Sequence, residues 1–230
     1  EYTAWYTESV MKKITFLFLF VLIFTHTPLH AQRPPAYREY KPQAGDLILY
    51  RTQEDTRRIL TGLATGNMIT HSGIVVKDAK GKMWLMHAIT KGVTIEPLES
   101  ILTDPDDIFI RPLKKPLTAE QFNILSHFAK NEEGKLFEKN DLMVIATPHI
   151  RRTPPPKSRN TYFCSQLVST ACVTANIIRS DKNGVYINPD GITPADLFDD
   201  RRIILSDIWE RPIQLIKPPP KNSRRNNKSY

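Results

Sequence analysis

Short apolar runs bounded by glycine, proline and aspartate dominate the first half of the body, whereas longer runs with helical spacing dominate the second. Asp46–Tyr50 (DLILY) reads as a strand, and Asp55–Thr65 as a helix with Ile59, Leu60 and Leu63 on one side, Asp55 as cap and Gly66 as stop. His71–Val76 (HSGIVV) and Lys82–Ala88 (KMWLMHA) are β-rich, and the KDAKG between them predicts a hairpin. Val93–Leu98 and Ile108–Leu113 read as further strands, with prolines at their ends. Ala119–Lys130 predicts an amphipathic helix with Phe122, Leu125, Phe128 and Ala129 on one side and Gly134 beyond its end. Residues 150–160 form a loop, Tyr162 to about Ile178 a second long helix, and Thr193 caps a proline-started third. IILSDIW predicts a last strand. Strands gathered ahead of helices give an α+β domain rather than alternating β-α units.

One apolar run does not belong to that domain. Ile14–Phe24 follows Met11, Lys12 and Lys13 and leads to a small residue, Ala31, which is the layout of a cleaved signal peptide over residues 11–31. It is short of the roughly 20 residues a bilayer crossing needs, and no cysteine follows it to take a lipid. Residues 1–10 precede Met11 and are expected to be a misassigned upstream extension. The domain is then expected over residues 32–216, in a secreted or periplasmic protein.

Charge adds a tail to this picture. The chain carries a formal +8, of which Lys217, Lys221, Arg224, Arg225 and Lys228 supply five with no acid among them. Residues 217–230, proline-rich and then polar, have almost nothing to bury and are expected to be disordered, fit at most for weak contact with an anionic surface. An exported chain whose basic stretch lacks interleaved aromatics is not expected to bind nucleic acid.

The two cysteines carry the chemistry. Cys164 and Cys172 are eight residues apart on one expected helix, about 12 Å at 1.5 Å per residue. A disulfide needs Cα atoms within about 7 Å, so the two thiols are expected to stay unbridged, which an exported protein seldom allows without reason. Cys172 shares the apolar stripe of Val168, Ala171 and Ala175 and reads as core. Cys164 falls in the first turn, where unpaired N–H groups and the helix dipole favour a thiolate and could hold an oxyanion. Packing and catalysis are equally open for it until a base is found.

Six histidines offer one. His26 and His30 leave with the signal peptide, and His127 and His149 occupy ordinary surface or rim positions. His71 and His87 flank the hairpin. A five-residue loop places them directly opposite; a three-residue loop, Ala79–Gly81, places His87 opposite Gly73 and diagonal to His71. Either register puts both imidazoles on one face, and an odd one would separate them. Gly73, lying between the histidines and the cysteine helix, leaves room for close approach, and Ser72 beside it belongs to the same expected pocket. The resulting arrangement is a triad in which Cys164 attacks, His71 takes and returns the proton, and His87 orients His71. Zinc is the rival use of two histidines and a cysteine, but the spacing matches no compact zinc motif, so neither metal nor cofactor is expected.

In order, AGDLILYR, THSGIVV, WLMHA with GVTIEPLESIL, and YFCSQLV resemble the YiiX-like permuted members of the NlpC-type papain-like hydrolases. The His, His, Cys order is also similar to the lecithin:retinol acyltransferase group. The resemblance covers about residues 42–200 and implies a circularly permuted papain-like fold, an antiparallel sheet packed against the cysteine-bearing helix. It implies Cys164 as nucleophile, His71 as base and His87 as third polar residue, where many YiiX-like proteins carry an acid. It also implies an oxyanion N–H from Ser165 and a pocket lined in part by Tyr162. Gln166 departs from an acid that is common after the cysteine and serine, while GKLFEKN and GITPADL match further elements. The expected activity is hydrolysis of an amide in wall peptides, peptidoglycan included, or related substrates through a thioester. The alternatives are acyl transfer on lipids and a non-catalytic wall-binding module.

Overall fold

A computed structural model describes residues 40–51, 68–102, 107–138, 146–179, 184–200 and 202–215. The expected helix at residues 55–65, residues 1–10, the signal segment 11–31 and the tail 217–230 lie outside the described residues. Five of the strands, β1 (Leu47–Arg51), β2 (His71–Lys77), β3 (Met83–Ile89), β4 (Gly92–Pro97) and β5 (Asp107–Arg111), fall where the alternation predicts them, within a residue or two. A short helix, α1 (Leu98–Ile101), follows β4, and α2 spans Ala119–Glu132 behind a Thr118/Gln121 capping box. The two-residue strands β6 (Leu136–Phe137), β7 (Ile150–Arg151) and β8 (Thr161–Tyr162) precede α3 (Cys164–Thr174). The chain ends through β9 (Tyr186–Ile187), a 3-10 turn at Pro189–Gly191, α4 (Pro194–Phe198) and β10 (Ile213–Gln214). As expected, Thr193 caps α4, and Asp196 reciprocates.

The principal sheet has the order β10-β5-β1-β2-β3-β4, with every neighbouring pair antiparallel. Alternation sorts its side chains. Leu47, Leu49, Ile74, Val76, Met86 and Ala88 pack with Leu125 and Phe128 of α2 and Leu167, Val168, Ala171 and Cys172 of α3. Ile48, Tyr50, Val75, Leu85, Ile108 and Ile110 form a second cluster with Leu98 and Ile101 of α1. Each fully buried Val, Leu, Ile, Met or Phe among them contributes roughly 1.5–3 kcal/mol, so the two faces together fix the register of the β1–β5 strands.

Two expected elements differ. IILSDIW is not a strand, because the Asp200 carboxylate accepts the N–H groups of Leu205 and Ser206 and the N–H groups of Ile208 and Trp209 return to the Leu205 carbonyl. Only Trp209 bridges, to Leu113, while its indole N–H donates to the Gly45 carbonyl. Likewise, the cysteine helix is shorter than 162–178. Tyr162 belongs to β8, paired in parallel with β6. At the other end Asn176 adopts φ +54°, the left-handed geometry asparagine tolerates, and the Ile177 and Ile178 N–H groups both close on the Cys172 carbonyl.

The turn that carries Gly191 lies so close to another segment that a Cβ there would sit 2.4 Å from the Pro148 carbonyl oxygen. Gly191→Ala is expected to cost about 2 kcal/mol, the range of an overpacked site, read as a lower urea midpoint with an unchanged slope.

Candidate active site

The β2–β3 hairpin sets the histidines. Gly73 pairs with His87 and Lys77 with Met83, so the loop is the three-residue one. Gly81 supplies its positive φ of 86°, and the Asp78 carboxylate gathers the N–H groups of Lys80 and Lys82 and the Trp84 indole. This even register brings the imidazoles together, with His71 Nε2 and His87 Nδ1 3.0 Å apart. The Tyr50 ring packs against His71 at 5.3 Å. Burial, and then the neighbouring His87, push His71 down to about 3, and burial likewise lowers His87 against the opposing pull of Glu96. Both rings are therefore neutral at neutral pH, and their contact is a hydrogen bond with one donor and one acceptor.

Gly73 has a different reason from the one expected. A Cβ there would lie 2.8 Å from the Leu85 side chain, so the glycine admits Leu85 rather than a helix or a substrate. Ser72 is fully buried, and its Oγ has no hydrogen-bond partner among the described residues. By alternation it shares the Ile74 and Val76 face with the cysteine helix, while His71 and His87 share the Tyr50, Val75 and Leu85 face.

Cys164 is the first residue of α3, directly after Phe163, which occupies the cap position and offers no side-chain acceptor. The helix packs against β2 and β3. Its buried stripe packs on the sheet face opposite the imidazoles, and Cys164 stands at the N-terminal end of that stripe. Cys164 is 8 % exposed and Cys172 fully buried, and no disulfide joins them. Burial raises the Cys172 thiol far above its ordinary range, in keeping with a core residue. Ser165 is fully buried, and its hydroxyl donates to the Ile192 carbonyl at 2.6 Å, tethering the first turn to the segment before α4. Its backbone N–H, in the first turn, is where an oxyanion donor is wanted. Tyr162 lines no open surface: it is fully buried, donates to Glu132 at 2.6 Å and accepts from the Arg159 N–H.

Several residues around the site have no signal in the linear pattern. Gln166 donates to Asp190 at 2.5 Å, and Arg159 binds the same carboxylate, locking the turn after Cys164 to a segment 24 residues on. Glu132, 2 % exposed, holds Tyr162 and Lys135, both from stretches already singled out. Glu96 on β4 reaches within 3.8 Å of His87 Nε2. Among the described residues no group of three or more His, Cys, Asp or Glu side chains is placed to hold a metal ion.

Comparison with family models matches residues 41–203 to the permuted papain-like amidase enzymes of the YaeF/YiiX, C92 family. The chain belongs to this family. The match covers the whole principal sheet except β10, together with α3 and α4, so the antiparallel α+β architecture is that of a permuted papain-like amidase. Among solved structures, the chain is similar to one titled metalloprotein yiiX from Escherichia coli O157:H7, with 22 % identity and a TM-score of 0.45 over 58 % of this chain and 66 % of that one. No curated protein sequence matches.

Proposed function

We propose that the protein is an exported cysteine amidase that cleaves peptide-like amides, wall peptides foremost, through Cys164, His71 and His87. The observation that carries this reading is the 3.0 Å contact between two neutral imidazoles on the strands against which the cysteine helix packs. His71 takes the thiol proton as sulfur attacks the amide carbon, and the first-turn N–H groups, Ser165 among them, receive the oxyanion. The C–N bond then breaks, the amine leaves with the proton from His71, and water hydrolyses the thioester by the same route. A histidine held as low as His71 is a weak base in isolation; the negative charge gathering on sulfur raises its affinity for the proton during attack. The signal-like segment and the five-cation tail support a site of action near an anionic wall or membrane surface.

Site-resolved alkylation with iodoacetamide, followed by mass spectrometry across pH, tests the reading. Cys164 is expected to label rapidly at and below neutral pH, more slowly in His71→Ala, with Cys172 unlabelled. A pH profile of an ordinary thiol, indifferent to both histidines, would sink it.

A further inference from the structure

His87 presents a buried polar atom, its Nε2, without a hydrogen-bond partner among the described residues. The residue is 5 % exposed, and its Nδ1 is engaged by His71. A buried polar atom of this kind calls for an explanation. The groups that face the pair are Tyr50 against His71 from β1, and Thr94 and Glu96 from β4. Of these only Glu96 carries a charge, and its carboxylate lies 3.8 Å from that same Nε2. The distance is too long for a hydrogen bond. It is short enough for the field of the carboxylate to distinguish an N–H from a lone pair.

That distinction decides which way the hydrogen bond between the histidines runs. With the His87 proton on Nε2, facing the carboxylate, Nδ1 is an acceptor, His71 must donate from Nε2, and His71 Nδ1 is left with a lone pair. With the proton on His87 Nδ1, a lone pair confronts Glu96, His71 Nε2 becomes the acceptor, and His71 carries its proton on Nδ1, where it cannot serve as a base. We infer that Glu96 is a positioning residue, whose carboxylate fixes the His87 tautomer and through it leaves His71 Nδ1 unprotonated toward the thiol. The role rests on the amidase reading for its purpose but not for its measurement. It also accounts for the histidine at position 87: the acid stands one strand further out and acts through the imidazole.

The test is long-range proton–nitrogen correlation on the full chain labelled with nitrogen-15, at neutral pH, in the native sequence and in Glu96→Ala and Glu96→Gln. Glu96 has a 40 % exposed side chain, so neither substitution opens the core. The expected spectrum shows both His71 and His87 protonated at Nε2, with Glu96→Ala moving His87 toward the Nδ1–H form and Glu96→Gln falling between. In parallel, Cys164 alkylation is expected to slow about tenfold in Glu96→Ala, the lower end of losses for outer-shell partners of a reactive centre. An Nδ1–H form of His87 in the native protein, or tautomers unchanged in both variants, overturns the assignment. The two readings separate cleanly. If Cys164 alkylates as an ordinary thiol while the tautomers follow Glu96, the amidase reading falls and the orienting role stands. If Cys164 is activated but the tautomers ignore Glu96, the reverse holds.

Discussion

Cys164→Ala is expected to lower amide hydrolysis by on the order of 10⁶-fold, the scale of losing a nucleophile that acts as one unit with its base. The residual rate would come from whatever binding and oxyanion stabilisation the first turn of α3 retains. The substitution removes a single sulfur atom from a side chain that is 8 % exposed, so the small void it leaves should lower stability far less than the loss of the nucleophile lowers activity. Cys164→Ser tests the chemistry more sharply. It keeps the shape and a hydroxyl in place of the thiol but exchanges sulfur for an oxygen whose proton is far less acidic, so an oxygen nucleophile should fare nearly as badly as alanine. His71→Ala is expected to approach the same floor, since the thiol then has no proton acceptor. His87→Ala should lose less, because it orients His71 rather than accepting the proton itself. Hydrolysis of wall-peptide amides, followed by release of the amine, measures all four. Native-like turnover in Cys164→Ala would show that the thiol is not the nucleophile, however the histidines behave.

The part of this site that the linear pattern could reach is the part governed by local rules. The hairpin register follows from Gly81 and Asp78 closing a three-residue loop, and once that is fixed the period of two places His71 and His87 on one face. The Thr193/Asp196 capping box and the run of apolar residues in α3 are equally local. What the pattern missed is set by distant partners. Whether Tyr162 opens a helix or closes a strand is decided by Leu136–Phe137 and by a buried Glu132, 30 residues away. The Asp200 carboxylate turns an apolar run that alternation would have made a strand. Glu96 reaches His87 only because the two-residue turn between Ile89 and Gly92 sets Thr94 opposite His87, leaving Glu96 diagonal to it. The role expected of Gly73 failed for a related reason: the space it leaves is taken by Leu85 on the adjacent strand, a cross-strand contact that no spacing along one segment contains.

The same histidine pair makes stability depend on pH above the range where carboxylates usually control it. His71 falls from an ordinary value of 6.5 to about 3 in the folded protein, and His87 is also lowered. Between those limits the unfolded chain binds protons that the native site refuses, so unfolding becomes easier as pH falls. Stability is therefore at its plateau above 6.5 and is lost from there toward 3, the opposite of a histidine that gains a partner. One fully shifted group contributes about 1.4 kcal/mol per pH unit, and His87, lowered in the same direction, adds to the fall. The aspartates do not mask the effect. Asp196 and Asp200, lowered from 3.8 by hydrogen bonds to Arg202 and Arg111 that outweigh their burial, add their own losses only below 3.8. Asp46, raised above 3.8 by burial, binds its proton earlier in the folded state and offsets part of the fall, but it does so equally in the native protein and in a variant that lacks the histidines. Urea midpoints taken in steps from neutral pH toward 4 should fall steeply in the native protein. They should change little over that window in a His71→Gln, His87→Gln double variant, whose amides keep the polar contact but cannot titrate. Equal slopes in the two proteins would mean that water, not a closed sheet face, surrounds the imidazoles in the folded state, and that the site lacks the enclosure a desolvated thiolate–imidazole reaction requires.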